Sequence, residues 1–138
     1  MGKYIVHSKL RPAGTQMMNT TGGFSYLADE PLIAKGTDAA PNPVQYLLGA
    51  VGSCLGVTAR EIENDEATLT IKKFQADVTG ETTTFQDGSS KVTSISIKIT
   101  AETSLSEADH KWFLNEVVRK CTVHETLVGA VPMEITFA

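Results

Sequence analysis

The sequence predicts an α+β fold, an antiparallel sheet with two main helices packed on it. Three observations carry that prediction. β-Branched and aromatic residues alternate with polar ones near the start, over 69–78 and over 91–102. Apolar residues recur at helical spacing over 42–65 and 106–121, and clusters of Gly, Pro, Asn and Asp separate the segments.

In chain order, "KYIVHSKL" and "GGFSYLA" read as strands with "RPAGTQMMNTTGG" as the stretch between them, so the first third is a hairpin or meander. "NTT" at 19–21 matches the N-glycosylation pattern and reads as a polar turn. Pro31, Gly36, Pro41 and Pro43 interrupt regular structure. Asn42 then suits an N-cap, with Pro43 at the first helical position, where its missing N–H costs nothing. The helix that follows carries Val44, Leu47, Leu48, Val51, Leu55 and Ile62 on one face and Gly49, Gly52 and Gly56 largely on another. Nearly all of its circumference up to Gly56 is uncharged, which predicts burial all round. The glycines make sense there if another backbone approaches closely.

After "ENDEAT", Leu69 and Ile71 and then Phe74, Ala76 and Val78 alternate, with a slip at Lys72 and Lys73 that predicts a β-bulge. "QDGSS" is a turn, and Ile95, Ile97, Ile99 and Ala101 form one face of the returning strand of an antiparallel hairpin. Ser106 and Asp109 are spaced as a capping box for a helix of about four turns with Phe113, Leu114, Val117, Val118 and Cys121 as its stripe. "TVHETLVG" reads as a short third helix capped by Thr122 and closed by Gly129, and "VPMEITF" as the last strand.

With 138 residues, 41% of them hydrophobic, the chain reads as a single domain, 1–138. A net charge of −4 and no dense run of Lys or Arg point away from nucleic acid and from a membrane surface. No stretch has signal-peptide or membrane-spanning character, so a soluble, cytoplasmic protein is expected. Two cysteines, with neither a CxxC pair nor clustered His, make neither a disulfide scaffold nor a metal site. Cys54 is three residues from Val51 and seven from Leu47, and Cys121 is four from Val117. If both stripes cover one sheet, the thiols lie in neighbouring layers of one core. Periodicity leaves open whether they meet, and a free Cys is also a common small core residue.

"PNPVQYLLGAVGSCLGVTA" resembles the cysteine helix of the OsmC and Ohr family (osmotically inducible protein, organic hydroperoxide resistance). "VRKCTVHETLVGAVPMEITF" is similar to that family's C-terminal cysteine segment. The resemblance implies a thiol-dependent peroxidase for organic hydroperoxides, without a cofactor, built as an intertwined homodimer with both sites at the subunit interface. It implies Cys54 as the attacking thiolate, Cys121 as the resolving thiol, and an external dithiol as reductant. The family sets an Arg from an N-terminal turn against the reactive sulfur, and Arg11 in "LRPAG" is the candidate. Arg60 competes, but six residues along a helix turn it away from Cys54.

In the hydroperoxidase branch a Glu near the start of the cysteine helix pairs with the Arg. Val44 and Gln45 stand at the corresponding positions, which points to an OsmC-like branch. Asp29, Glu30 and Asp38 are loop carboxylates that read first as surface charges and second as substitutes for that Glu, and Thr122 stands where relatives often carry Pro. The candidate substrate-binding residues are Leu47, Leu48, Val51 and Gln45, in an apolar interface pocket that Trp112 and Phe113 would extend.

Such a pocket serves equally a non-catalytic dimeric module that binds an apolar small molecule or lipid, its cysteines inert. A Cys/His hydrolase would need His124 oriented by a third group, and Glu125 beside it is expected to point elsewhere. His7 and His110 read as solvent-facing or locally paired.

Overall fold

The computed structural model describes residues 1–138, in two compact units, Met1–Tyr46 and Leu47–Ala138. No helix is long and apolar enough to cross a membrane.

In the first unit, β1 (His7–Leu10), β2 (Met17–Thr21) and β3 (Phe24–Ala28) form an antiparallel three-stranded sheet in that order. The middle strand is a departure from the sequence reading, which left 11–23 as a connection. "MMNTT" has no clean alternation, but Asn19 is buried and supplies polar links to both neighbours. Ser8 Oγ donates to Asn19 Oδ1 at 2.6 Å, and Asn19 Nδ2 donates to the Tyr26 carbonyl at 3.3 Å. The "NTT" segment is thus sheet rather than a turn. Gly22, at φ 55, makes the tight turn between β2 and β3.

Helix α1 (Pro43–Asp65) begins where its cap predicts. Asn42 Oδ1 accepts from the Gln45 N–H, and Gln45 Oε1 accepts from the Asn42 N–H, both at 2.9 Å, a reciprocal capping box.

The second unit is built on β4 (Ile71–Thr84), β5 (Ser90–Thr103) and β6 (Met133–Phe137), joined through α2 (Glu107–Lys120) and α3 (Thr122–Leu127). The predicted bulge is present: Ile71 faces Thr103 and Lys73 faces Glu102, which leaves Lys72 over. A second irregularity follows Glu81. The core joins Val51, Leu55, Ala59 and Ile62 of α1 to Ile95, Ile97 and Ile99 of β5 and to Phe113, Leu114 and Val117 of α2. Two helical stripes on one strand face is what the periodicities called for.

Four expectations need correction. The strands form two separate sheets rather than one, and β6 pairs parallel to β5. The reason is topological: α2 and α3 carry the chain back past the sheet before it re-enters, and a strand reached by a helical crossover lies parallel to the one left. Second, α1 is not covered all round within the chain, because Gly49, Ala50, Ser53 and Val57 are exposed. Third, the helix glycines are not sites of tight approach within the chain. A Cβ at Gly49 would meet nothing within 4 Å, and one at Gly52 would make ordinary contact with Val78 at 3.4 Å. The close approaches occur at Gly80, where a Cβ would come within 2.9 Å of Leu48 Cδ2, and at Gly36. Fourth, the N-cap of α3 is Cys121, not Thr122, and α2 stops at Lys120, so Cys121 sits at the junction of two helices.

Candidate functional site

Cys54 lies in the middle of α1, partly buried against the core, and Cys121 is fully buried. Cys54 lies near enough to Cys121 to act on its thiol, and both are free thiols. The two apolar stripes explain this meeting. Each cysteine is the small member of a row that covers the same sheet, so the sheet brings together residues remote in sequence. One turn beyond Cys54, Thr58 Oγ1 donates to the Cys54 carbonyl at 2.8 Å.

The two sulfurs differ in environment. Burial, first of all, pushes the Cys121 thiol up to about 11, and the neighbouring Cys54, by hydrogen bond and charge, pushes the same way. The backbone N–H groups of His124 and Val123 pull in the opposite direction without completing a regular cap bond. Cys121 is therefore held as a thiol, with an S–H to donate.

His124, which the sequence reading set aside, is the third feature of this junction. It occupies the first turn of α3, is 6% exposed, and its Nδ1 makes no hydrogen bond. Contrary to the expectation for Glu125, that carboxylate faces the ring, with Oε1 3.5 Å from Nδ1. This is beyond hydrogen-bond length and within ion-pair range. The sequence signal, a His three residues after a cap, shows only once Cys121 rather than Thr122 is the cap.

Of the other candidates on α1, Val51 is fully buried in the core and Leu48 packs over Gly80 of β4, while Leu47 is half-buried. Phe113 is wholly within the core. Trp112 does not extend a pocket with Leu47 and Val51. Half-exposed, it lines instead a separate groove of about 360 Å³ with Glu66, Thr68, Leu69, Leu105 and Asp109. The guanidinium of Arg60 pairs with Glu63, whose other oxygen accepts from the Ile71 N–H at 2.7 Å, so Arg60 is committed away from the thiols. His110 pairs locally with Thr103 at 2.8 Å. No group of three or more His, Cys, Asp or Glu side chains is placed to hold a metal ion.

Arg11 and Gln45 belong to the first unit. Arg11 is exposed and forms no ion pair. Its N–H donates to the Gln16 carbonyl at 2.9 Å and closes the turn between β1 and β2. The Gln45 amide oxygen is taken up by the capping box of α1.

The suggestion that Asp29 stands in for a missing Glu is not supported by its surroundings. Asp29 is 1% exposed and its carboxylate accepts from Thr15 Oγ1 (2.8 Å), Thr37 Oγ1 (2.6 Å), Thr37 N (3.1 Å) and Ala39 N (3.0 Å). Those bonds, led by that from Thr37, hold its pKa far below the carboxylate range. Its role is to tie the Arg11 turn, through Thr15, to the loop after β3.

The family model for OsmC-like protein matches residues 36–136 of the chain. Among solved structures, the chain is similar to an OsmC-like protein from Mycoplasma pneumoniae, at 24% identity, 99% and 96% coverage of the two chains and a TM-score of 0.86. It is also similar to an organic hydroperoxide resistance protein OsmC from Legionella pneumophila (12%, 100% and 98%, 0.77). A third is an organic hydroperoxide resistance protein from Vibrio cholerae with captopril bound in one active site (13%, 99% and 92%, 0.73). At these identities the structures establish a shared fold. No curated protein sequence matches the chain.

Proposed function

The chain belongs to the OsmC-like protein family, and on that premise we propose that it is a thiol peroxidase that reduces organic hydroperoxides through Cys54 and Cys121. The observation that carries the reading is the pairing of two free thiols, the first partly exposed and the second fully buried within its reach.

In the proposed cycle the Cys54 thiolate attacks the distal oxygen of the hydroperoxide. The O–O bond breaks, the alkoxide leaves and takes a proton to become the alcohol, and Cys54 becomes a sulfenic acid. Cys121 then attacks that sulfur. An S–S bond forms, the S–O bond breaks, and the oxygen leaves as water with the Cys121 proton. An external dithiol restores both thiols by exchange.

Arg11 is the proposed cation beside Cys54, where it favours thiolate and polarises the peroxide. Leu47, Leu48 and Val51 are the proposed apolar wall for the substrate, with Gln45 at the helix start. The whole chain acts as one domain within a homodimer. Apolar side chains left open at Leu10 and Phe24, and at Val57 on α1, support the homodimer.

The test is a single-turnover thiol count with cumene hydroperoxide. Reduced protein is expected to lose two thiols per chain rapidly, Cys54→Ser to lose none at that rate, and Arg11→Ala to react at least tenfold more slowly. Loss no faster than that of free cysteine would refute the proposal. Sedimentation of the reduced protein checks the homodimer.

A further inference from the structure

Closing the disulfide requires the Cys121 proton to reach the departing oxygen, and no group in the cycle so far carries it there. The surroundings make this a real demand: Cys121 is fully buried, away from bulk water as a base, and its thiol is held up at about 11. A sulfenic acid is attacked by thiolate far faster than by thiol.

From this juxtaposition we propose that His124 is the proton acceptor for Cys121 in the disulfide-closing step, with Glu125 orienting its ring. The inference rests on the peroxidase reading. His124 follows Cys121, the N-cap of α3, by three residues, and its backbone N–H is close enough to pull the Cys121 thiol down without forming a cap bond. Residues at this spacing in a first helical turn have their Cβ atoms about 5–6 Å apart, within reach of an imidazole directly or through one water.

The ring is nine-tenths buried, yet Nδ1 has no hydrogen bond, which is an unusual state for a core histidine. The carboxylate of Glu125 at 3.5 Å explains it if the ring gains charge during the reaction, because an imidazolium would then have its counter-ion in place. Glu125 is more than half exposed and free to close that gap, while Arg119, in the last turn of α2, feels its charge and is mainly bound to Glu116. The proton balance is complete: the Cys121 proton passes to His124 and from there to the departing hydroxide, so that water leaves and the imidazole is neutral again.

The experiment separates the two chemical steps. Wild type, His124→Gln, His124→Asn and His124→Ala are mixed with cumene hydroperoxide. Cys54 oxidation is followed by thiol loss, the sulfenic acid by trapping with a 1,3-diketone, and disulfide formation by mass. The first step is expected to stay within twofold of wild type in every variant, which also certifies the fold. Disulfide closure should slow at least tenfold, with trapped sulfenic acid rising in proportion. Added imidazole should speed closure in His124→Ala in a concentration-dependent way, a rescue that a purely structural role would not give. Closure at the wild-type rate in His124→Gln and His124→Asn overturns this inference alone, and absence of the first step in wild type overturns the parent reading.

Discussion

Replacing Gly36 with alanine puts the loop that carries Asp29 and Thr37 to a quantitative test. A Cβ there would lie 1.8 Å from the Glu30 carbonyl oxygen and 2.3 Å from its carbon, both rigid backbone. Gly36 is not in the left-handed region, so the cost is overlap alone. Relief requires opening that distance to at least 3.0 Å, a displacement of about 1.2 Å in a loop closed by two backbone hydrogen bonds. The Gly36 N–H to Pro31 carbonyl and the Asp38 N–H to Glu30 carbonyl are each 3.1 Å and would stretch beyond bonding range. Each is worth about 1 kcal/mol net, and more if a group is left buried and unpaired, so the loss is about 2–4 kcal/mol. For a chain of this size that lowers the melting temperature by on the order of 10 °C. Calorimetry and urea midpoints measure it, with Gly22→Ala as control. Gly22 has positive φ (55) but open space around it, and should cost only about 1–2 kcal/mol of left-handed strain. If Gly36→Ala is no less stable than Gly22→Ala, the loop is not packed as described.

Phe113→Ala empties a fully buried site in the core and should cost about 3–5 kcal/mol in urea unfolding. Because hydrogen bonds depress the Asp29 pKa in the folded chain, its contribution is complete above the unfolded value of about 3.9 and disappears as pH falls toward the folded one. Asp29→Asn should therefore lower urea midpoints at pH 7 and flatten their decline below about pH 4. Gln45→Glu keeps the capping geometry and adds negative charge at the N-terminus of α1, which should raise stability by about 0.3–1 kcal/mol. The same variant should change the rate of Cys54 oxidation if Arg11 lies within reach of that position. In Cys121→Ser, one thiol per chain should be lost and mass spectrometry should show Cys54 passing on to the sulfinic acid.

Most elements were legible because each has a local signature. Asn42 and Pro43 fix the start of α1, Ser106 the start of α2, and the slip at Lys72 the bulge. The middle strand β2 was hidden because its specificity comes from Asn19 bonding to two neighbours rather than from alternating side chains. The parallel pairing of β6 follows from the crossover, not from anything in "MEITF" itself. At the site, helical spacing placed Cys54 and Cys121 on stripes over one sheet, but only their three-dimensional placement brings them within reach. Asp29 read as a free surface charge because its four donors lie 8 to 14 residues away. The core position of His124 was concealed by the break between α2 and α3 at Cys121, which rotates the following residues away from the earlier helical phase.

The two thiols are separated by 67 positions (121 − 54), and a covalent link between them would tie mid-α1 to the α2–α3 junction across half the chain. Shrinking the unfolded ensemble by a loop of that length is worth roughly 4 kcal/mol. The disulfide form would then be the sturdier one, slower to be digested by proteases than the reduced form. Its melting curve would serve as a gauge of how much oxidant it has met.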